Sequence, residues 1–137
     1  MVANTDPIFV VSANLAEVTF VNADGTTPKD LVSAAADGTK ILGISATSDD
    51  TSAVNLQLFI HDGSVGYLVG TVLVPTLSGT DGVVAAVALI DKDSVALPWL
   101  DADGEFFIPT GYKIQVAPLA AVTAAKTVTV VCLAGDY

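Results

Sequence analysis

Short stretches in which apolar and polar residues alternate run along most of this chain. The clearest are residues 40–46, 55–60, 113–116 and 127–132. A period of two is that of a β-strand with one buried face. Further strands are predicted at residues 8–13, 17–21, 65–74 and 83–90. The pattern therefore predicts a chain of many short strands.

Asp-Gly pairs separate these stretches and mark turns. They begin at Asp24, Asp37, Asp62, Asp81 and Asp103. Both residue types are common where a turn needs an unusual backbone angle. Short strands punctuated in this way are typical of an antiparallel sandwich or barrel. Residues 27–36 are ambiguous: Pro28 fits the start of a short helix, whereas Leu31-Val32-Ser33 fits a short strand, which we favour.

The region from residue 97 to residue 116 has the strongest turn signals. Asp103-Gly104 and the Pro109–Gly111 segment enclose an aromatic and β-branched run at residues 105–108. We predict that this run and residues 113–116 form a β-hairpin at the centre of the domain. The fold predicted is all-β: a single antiparallel β-sandwich over residues 8–137, preceded by a short N-terminal arm over residues 1–7. Such an arm either frays or crosses to a neighbouring subunit.

The length of 137 residues suits one domain and is sufficient for a sizeable core without a disulfide or metal. Cys132 is the only cysteine, which excludes an intramolecular disulfide. The N-terminus has no basic region before its apolar run, so we predict no secretory signal. No apolar run approaches the roughly 20 residues of a transmembrane helix, so we predict no membrane partner.

Charged residues make up 15% of the chain and hydrophobic residues 52%, where about 25% charged is usual. A monomer with so few charges has to expose a largely neutral, partly apolar surface, whereas an assembly subunit buries part of that surface. The composition favours a self-assembling or docking protein.

The charges present are mostly negative, with fifteen acidic residues against five basic ones and a net charge of −10. All five basic residues are lysines. Binding to a phosphate backbone needs a concentrated positive field, and arginine is the usual reader of bases. The sequence therefore argues against a nucleic-acid partner.

Residues for catalysis are sparse. His61 stands beside Asp62 and near Ser64, a combination from which a nucleophilic triad can be imagined. A histidine that ends a strand at a turn is the better account. Cys132 shares a strand face with Val128 and Val130 and is interpreted as a small core residue. We therefore predict a protein that is not an enzyme and that carries no cofactor.

Carboxylates recur at every second residue in Asp101, Asp103 and Glu105, and oxygen ligands of this kind hold Ca²⁺. The glycine that follows Asp103 is misplaced for a calcium loop, so a solvated turn is preferred and the calcium site is kept only as a weak candidate.

Several aromatic residues could form a platform for stacking sugars, or could belong to the core or an interface. They are Tyr67, Trp99, Phe106, Phe107 and Tyr112. Alternation places Phe59 and Phe107 opposite their apolar neighbours, so either one is a candidate interface residue.

Three segments together resemble small virion structural proteins of tailed bacteriophages. The first is KILGISATSDDT at residues 40–51, which follows an Asp-Gly turn and precedes an amphipathic strand. The second extends from Leu97-Pro98 through Asp103-Gly104 to FIPTGY at residues 107–112, and the third from VTVV at residues 128–131 to the terminal AGDY. The resemblance covers most of the chain from about Asp24 onward. It consists of turn and strand signatures, with no chemical fingerprint.

The resemblance implies a jelly-roll-like sandwich that decorates or cements a capsid, on the virion exterior, after synthesis in the host cytoplasm. The implied partners are the major capsid protein and further copies of this chain, commonly as a homotrimer. Apolar edge strands and the N-terminal arm would make the contacts. The alternative is a receptor- or carbohydrate-binding β-sandwich of a head fibre or tail appendage.

Overall fold

A computed structural model describes residues 9–90 and 104–137. In these residues the chain forms nine strands, and a 3-10 turn at Asn22–Asp24 follows the first strand. The strands are β1 (Ser12–Val21), β2 (Lys29–Ser33), β3 (Thr39–Ser48), β4 (Val54–His61), β5 (Gly66–Val74), β6 (Val87–Ile90), β7 (Phe106–Ile108), β8 (Lys113–Pro118) and β9 (Thr127–Asp136). None of the described residues belongs to a helix long and apolar enough to cross a membrane.

The strands form two sheets in which every pairing is antiparallel. Sheet A has the order β1-β9-β3-β6, and β7 also pairs with β3. Sheet B has the order β2-β8-β4-β5. The predicted all-β antiparallel sandwich is therefore confirmed.

The core lies between the two sheets, where alternation directs one set of side chains from each strand. Sheet A contributes Phe20 and Ile41, and sheet B contributes Leu56 and Ile114; all four are almost completely buried. Full burial of a side chain of this size contributes about 1.5–3 kcal/mol. The period of two thus places one apolar side of each sheet against the other.

The strand predicted at Leu31-Val32-Ser33 is confirmed as part of β2. Three other strand predictions are wrong in extent. Residues 12–21 form one strand, in unbroken register with β9, where two strands were predicted. The run at residues 83–90 is a strand only from Val87 onward, because the Asp81 carboxylate accepts hydrogen bonds from the next turn and holds it in a loop.

The predicted hairpin of residues 105–108 and 113–116 is also wrong. Strand β7 pairs with β3 in sheet A, whereas β8 pairs with β2 and β4 in sheet B. The turn between them, closed by a hydrogen bond from the Tyr112 N–H to the Pro109 carbonyl at 3.1 Å, carries the chain from one sheet to the other. Turn residues identify a change of direction but not the sheet in which the next strand pairs.

Candidate binding surface

His61, the candidate base, lies at the end of β4 opposite Gly66 and Lys113. Its Nδ1 accepts a hydrogen bond from the Gly63 N–H at 3.0 Å. The neighbouring Asp62 carboxylate accepts two turn N–H groups, from Ser64 and Val65, each at 2.8 Å, and these bonds hold the pKa of Asp62 below its usual value. Both side chains therefore stabilise a tight turn, as the interpretation of His61 as a strand-end residue expects.

Cys132 is completely buried in the core between the sheets. Burial raises the pKa of its thiol to about 12, since the apolar surroundings disfavour the charged thiolate. The reactive form is the thiolate, so this cysteine is unsuited to nucleophilic chemistry. Its place among the core residues agrees with the sequence analysis.

Of the weak calcium candidates, Asp101 and Asp103 lie outside the described residues. Glu105 forms an ion pair with Lys40, at 2.7 Å between the charged atoms. Within the described residues, no three side chains of the metal-binding types come together.

Among the described residues, the most buried carboxylate belongs to Asp50, in the connection between β3 and β4. Burial raises the pKa of this group, but the N–H groups of Thr123 and Ser52, each at 2.9 Å, stabilise the charged form and hold the pKa below its usual value. The adjacent Asp49 accepts the Thr127 N–H at 2.6 Å. The two acids therefore fix the β8–β9 connection to one end of the sandwich, which is a structural role.

The two candidate interface residues lie on different sheets. Phe107 is 52% exposed on the outer side of sheet A, where its ring packs against Tyr137 with centroids 5.5 Å apart. Phe59 is half-buried on the outer side of sheet B, in register with Leu68 and Gln115. They do not form one patch, and whether either contacts a partner stays a prediction.

The aromatic residues proposed as a sugar platform are also dispersed. Tyr67 lies in β5 of sheet B, Tyr112 in the β7–β8 turn, and Phe106 packs against the core from β7. Trp99 lies outside the described residues. These positions are on separate elements, so they do not form one continuous row on a strand.

The outward positions of sheet A, called face A below, form a nearly neutral surface. Its apolar side chains include Leu15, Val131 and Leu133, and Leu15 and Leu133 are direct register partners, 70% and 49% exposed. The ionisable side chains at its outward strand positions are Glu17 and Lys40, and Lys40 is already paired with Glu105. Exposed leucines side by side on a sheet leave apolar area in contact with water.

A depression of about 300 Å³ lies in the middle of face A. It forms along β3, where Gly43 and Ser45 carry little or no side chain, and it is bordered by Ala88 of β6 and by Val131 and Leu133 of β9. Small residues beside large apolar ones leave a depression large enough for an apolar side chain.

The outward positions of sheet B, called face B below, combine charged and amide side chains with exposed apolar ones such as Leu73. Asp30 accepts hydrogen bonds from Gln115 Nε2 at 2.7 Å and from Lys113 Nζ at 2.9 Å. Asn55 and Gln57 follow along β4. These groups bond to one another or face solvent, so face B carries more charged and amide groups than face A.

Face A was missed by the sequence analysis, which singled out individual aromatic residues. The signal was present in the outward residues of the strands now known to be neighbours, but the strand order is needed to assemble them.

Two comparisons with known proteins found no match: no family model matches the chain, and no curated protein matches it.

Proposed function

We propose that this chain is a non-enzymatic structural protein of a phage virion, which decorates or cements the capsid by binding across neighbouring subunits of the major capsid protein. The observation that carries the proposal is face A, an exposed, apolar and nearly uncharged sheet surface on a chain with a net charge of −10. The resemblance to small virion proteins supplies the identity of the partner.

The size of face A indicates how strongly one copy binds. Three ten-residue strands, each about 33 Å long, and the four-residue β6 lie about 4.8 Å apart and together present roughly 500 Å². A stable interface buries about 800 Å² per partner, so a single face falls at the weak end. Contacts to two neighbouring capsid subunits, or between copies on the lattice, strengthen the overall binding, because each further contact forms at a high effective concentration.

The order of the strands supports the jelly-roll form as part of this proposal. Strands β1 to β4 alternate between the sheets, and the first and last strands of the described chain, β1 and β9, are neighbours. Strands β2 and β8 are neighbours in the same way in the other sheet. Antiparallel double sheets of this class include viral capsid and lectin domains.

The proposed mechanism is stabilisation by mass action. A protein that binds the mature lattice but not its dissociated subunits lowers the free energy of the lattice by an amount that grows with the occupancy of its sites. No bond is made or broken, which agrees with the structural roles of His61, Asp62 and Asp50. In the trimer that the resemblance implies, one assembly of this chain would present several copies of face A.

The proposal is tested by counting copies of this chain against the major capsid protein in purified virions by quantitative mass spectrometry. A ratio near one supports decoration of the whole lattice. A handful of copies per particle favours the alternative, a receptor- or carbohydrate-binding component of a head fibre or tail appendage. Absence from the virion contradicts both.

The surface is tested by adding variants to particles assembled without this chain. We expect Leu133→Lys to weaken attachment at least about tenfold, because a charge then has to be desolvated in the contact. Leu73→Lys on face B is the matched control, since Leu73 is 53% exposed and Leu133 is 49% exposed. Equal attachment of both variants contradicts the assignment to face A.

A further inference from the structure

Within the described residues β1 is an edge strand of sheet A, and its two ends differ on the side away from β9. At the C-terminal end, Lys29 Nζ donates to the Thr19 carbonyl at 2.7 Å, and the Val21 N–H donates to Asp24 Oδ2 at 2.8 Å. Lys29 and Asp24 also form an ion pair at 2.9 Å. These side chains occupy the positions that another strand needs for hydrogen bonding, so this end of the edge is closed.

Towards the N-terminal end, the edge is open as far as the described residues are concerned. Backbone groups of alternate residues in an antiparallel strand point to the same side, so those of Ala13, Leu15 and Glu17 point away from β9, as those of Thr19 and Val21 do. No hydrogen bond from another described residue reaches them. Edge strands are usually blunted by proline, bulges or several charges. Strand β1 has one ionisable residue, Glu17, and no bulge in its register with β9.

The open edge is continuous with the apolar part of face A. Leu15 is in register with Leu133, which is in turn in register with Gly43 of β3. A strand added at the edge places one of its own residues beside Leu15 on the same face. An apolar residue in that place extends the row and covers the most exposed leucine of the sheet.

We propose that the added strand is β1 of a second copy of this chain, paired antiparallel about a two-fold axis at Leu15. In this register Leu15 faces its counterpart, and Glu17 faces Ala13. No like charges are then opposed, which matters for a chain with a net charge of −10. The same patch serves on both copies, as a two-fold contact requires.

This contact is a different one from the three-fold contact that the resemblance implies, because a trimer needs two unlike patches on each copy. One strand pair and its leucines bury less than the roughly 1,200 Å² at the lower limit of stable interfaces. The association is therefore weak and depends on concentration. It links two monomers, or two trimers where trimers form, and it does not rest on attachment to a capsid.

Sedimentation velocity of the full-length chain over a range of concentrations tests the proposal. We expect the sedimenting mass of the wild type to double as the concentration rises. The Leu15→Lys variant should stay at the mass of the smaller species at every concentration, because the two introduced lysines would oppose each other in the contact. Leu73→Lys, on the edge strand β5 of sheet B, is the matched control and leaves the doubling intact. A mass that does not double, a doubling that survives Leu15→Lys, or one that is lost in Leu73→Lys overturns the proposal.

Amide hydrogen exchange adds a readout at single residues. We expect the amides of Ala13, Leu15 and Glu17 to exchange fast in dilute samples and slowly in concentrated ones. Those of Asn14, Ala16 and Val18 face β9 and stay protected throughout. Protection of the first set even at high dilution means that another segment of the same chain covers the edge, which overturns the proposal. Both experiments are done without capsids, so their failure is distinct from failure of the proposed function.

Discussion

The two outer faces of the sandwich are built on the same backbone pattern, and both expose leucines, but they differ in their charged and amide side chains. A row across face A contains Glu17, Val131 and Ser45, and the row beside it contains Leu15, Leu133 and Gly43. On face B, by contrast, the Asp30 carboxylate receives hydrogen bonds from Gln115 and Lys113. Both sheets contribute buried side chains to one core, so the need for a core does not explain the difference. The outward residues are where selection for the proposed partner would act.

The largest effect that tests this comparison is on stability. We expect Phe20→Ala, on the inner side of β1, to lower the free energy of unfolding by about 3–5 kcal/mol, because it opens a cavity in the core. Leu133→Ala on face A and Leu73→Ala on face B each change it by less than about 1 kcal/mol, since their side chains are half exposed. Urea denaturation of the three variants measures these values.

A stability loss for Leu133→Ala that approaches the loss for Phe20→Ala contradicts the comparison. Face A would then be part of the folded core, and its exposed leucines would be no evidence for a partner.

The second prediction concerns salt. If attachment to capsid particles uses face A, raising the salt from about 0.05 to 0.5 M changes the affinity less than about threefold, because the contact contains few charges and screening acts on charged pairs. Attachment through the ionic groups of face B would change much more steeply. Titration of particles at several salt concentrations distinguishes the two, and a steep dependence assigns the contact to charged residues.

The sequence predicted the fold class because period two specifies which side chains face inward, independently of which strands are neighbours. Which strands pair with each other depends on the whole chain, and the prediction of this pairing was wrong. Residues 106–108 and 113–118 are strands, but they lie in different sheets. The same limit hid face A. Leu15, Gly43 and Leu133 lie far apart in the sequence and meet only through β9. Phe59 and Phe107 were selected as outward residues, but alternation could not place them on opposite sheets.

The smallest effect concerns the polar network of face B. Hydrogen bonds from Gln115 and then Lys113 hold the pKa of the Asp30 carboxyl below its usual value. We expect Asp30→Ala to lower the free energy of unfolding by about 0.5 kcal/mol near neutral pH, since the group is half exposed and screened by water.

The pH dependence of that difference identifies its origin. Because the folded-state pKa of Asp30 is below the unfolded value, the contribution is present above about pH 4 and is lost as the pH falls through the folded-state pKa. Urea denaturation of the wild type and Asp30→Ala between neutral and strongly acidic pH should therefore give curves that converge in acid. Asn55→Ala removes an uncharged polar group from the same face and should differ from the wild type by a constant amount. If the free energies of unfolding of Asp30→Ala and the wild type instead stay parallel across the pH range, the network stabilises face B through packing. The contrast in charge between the two faces would then have no energetic consequence for folding.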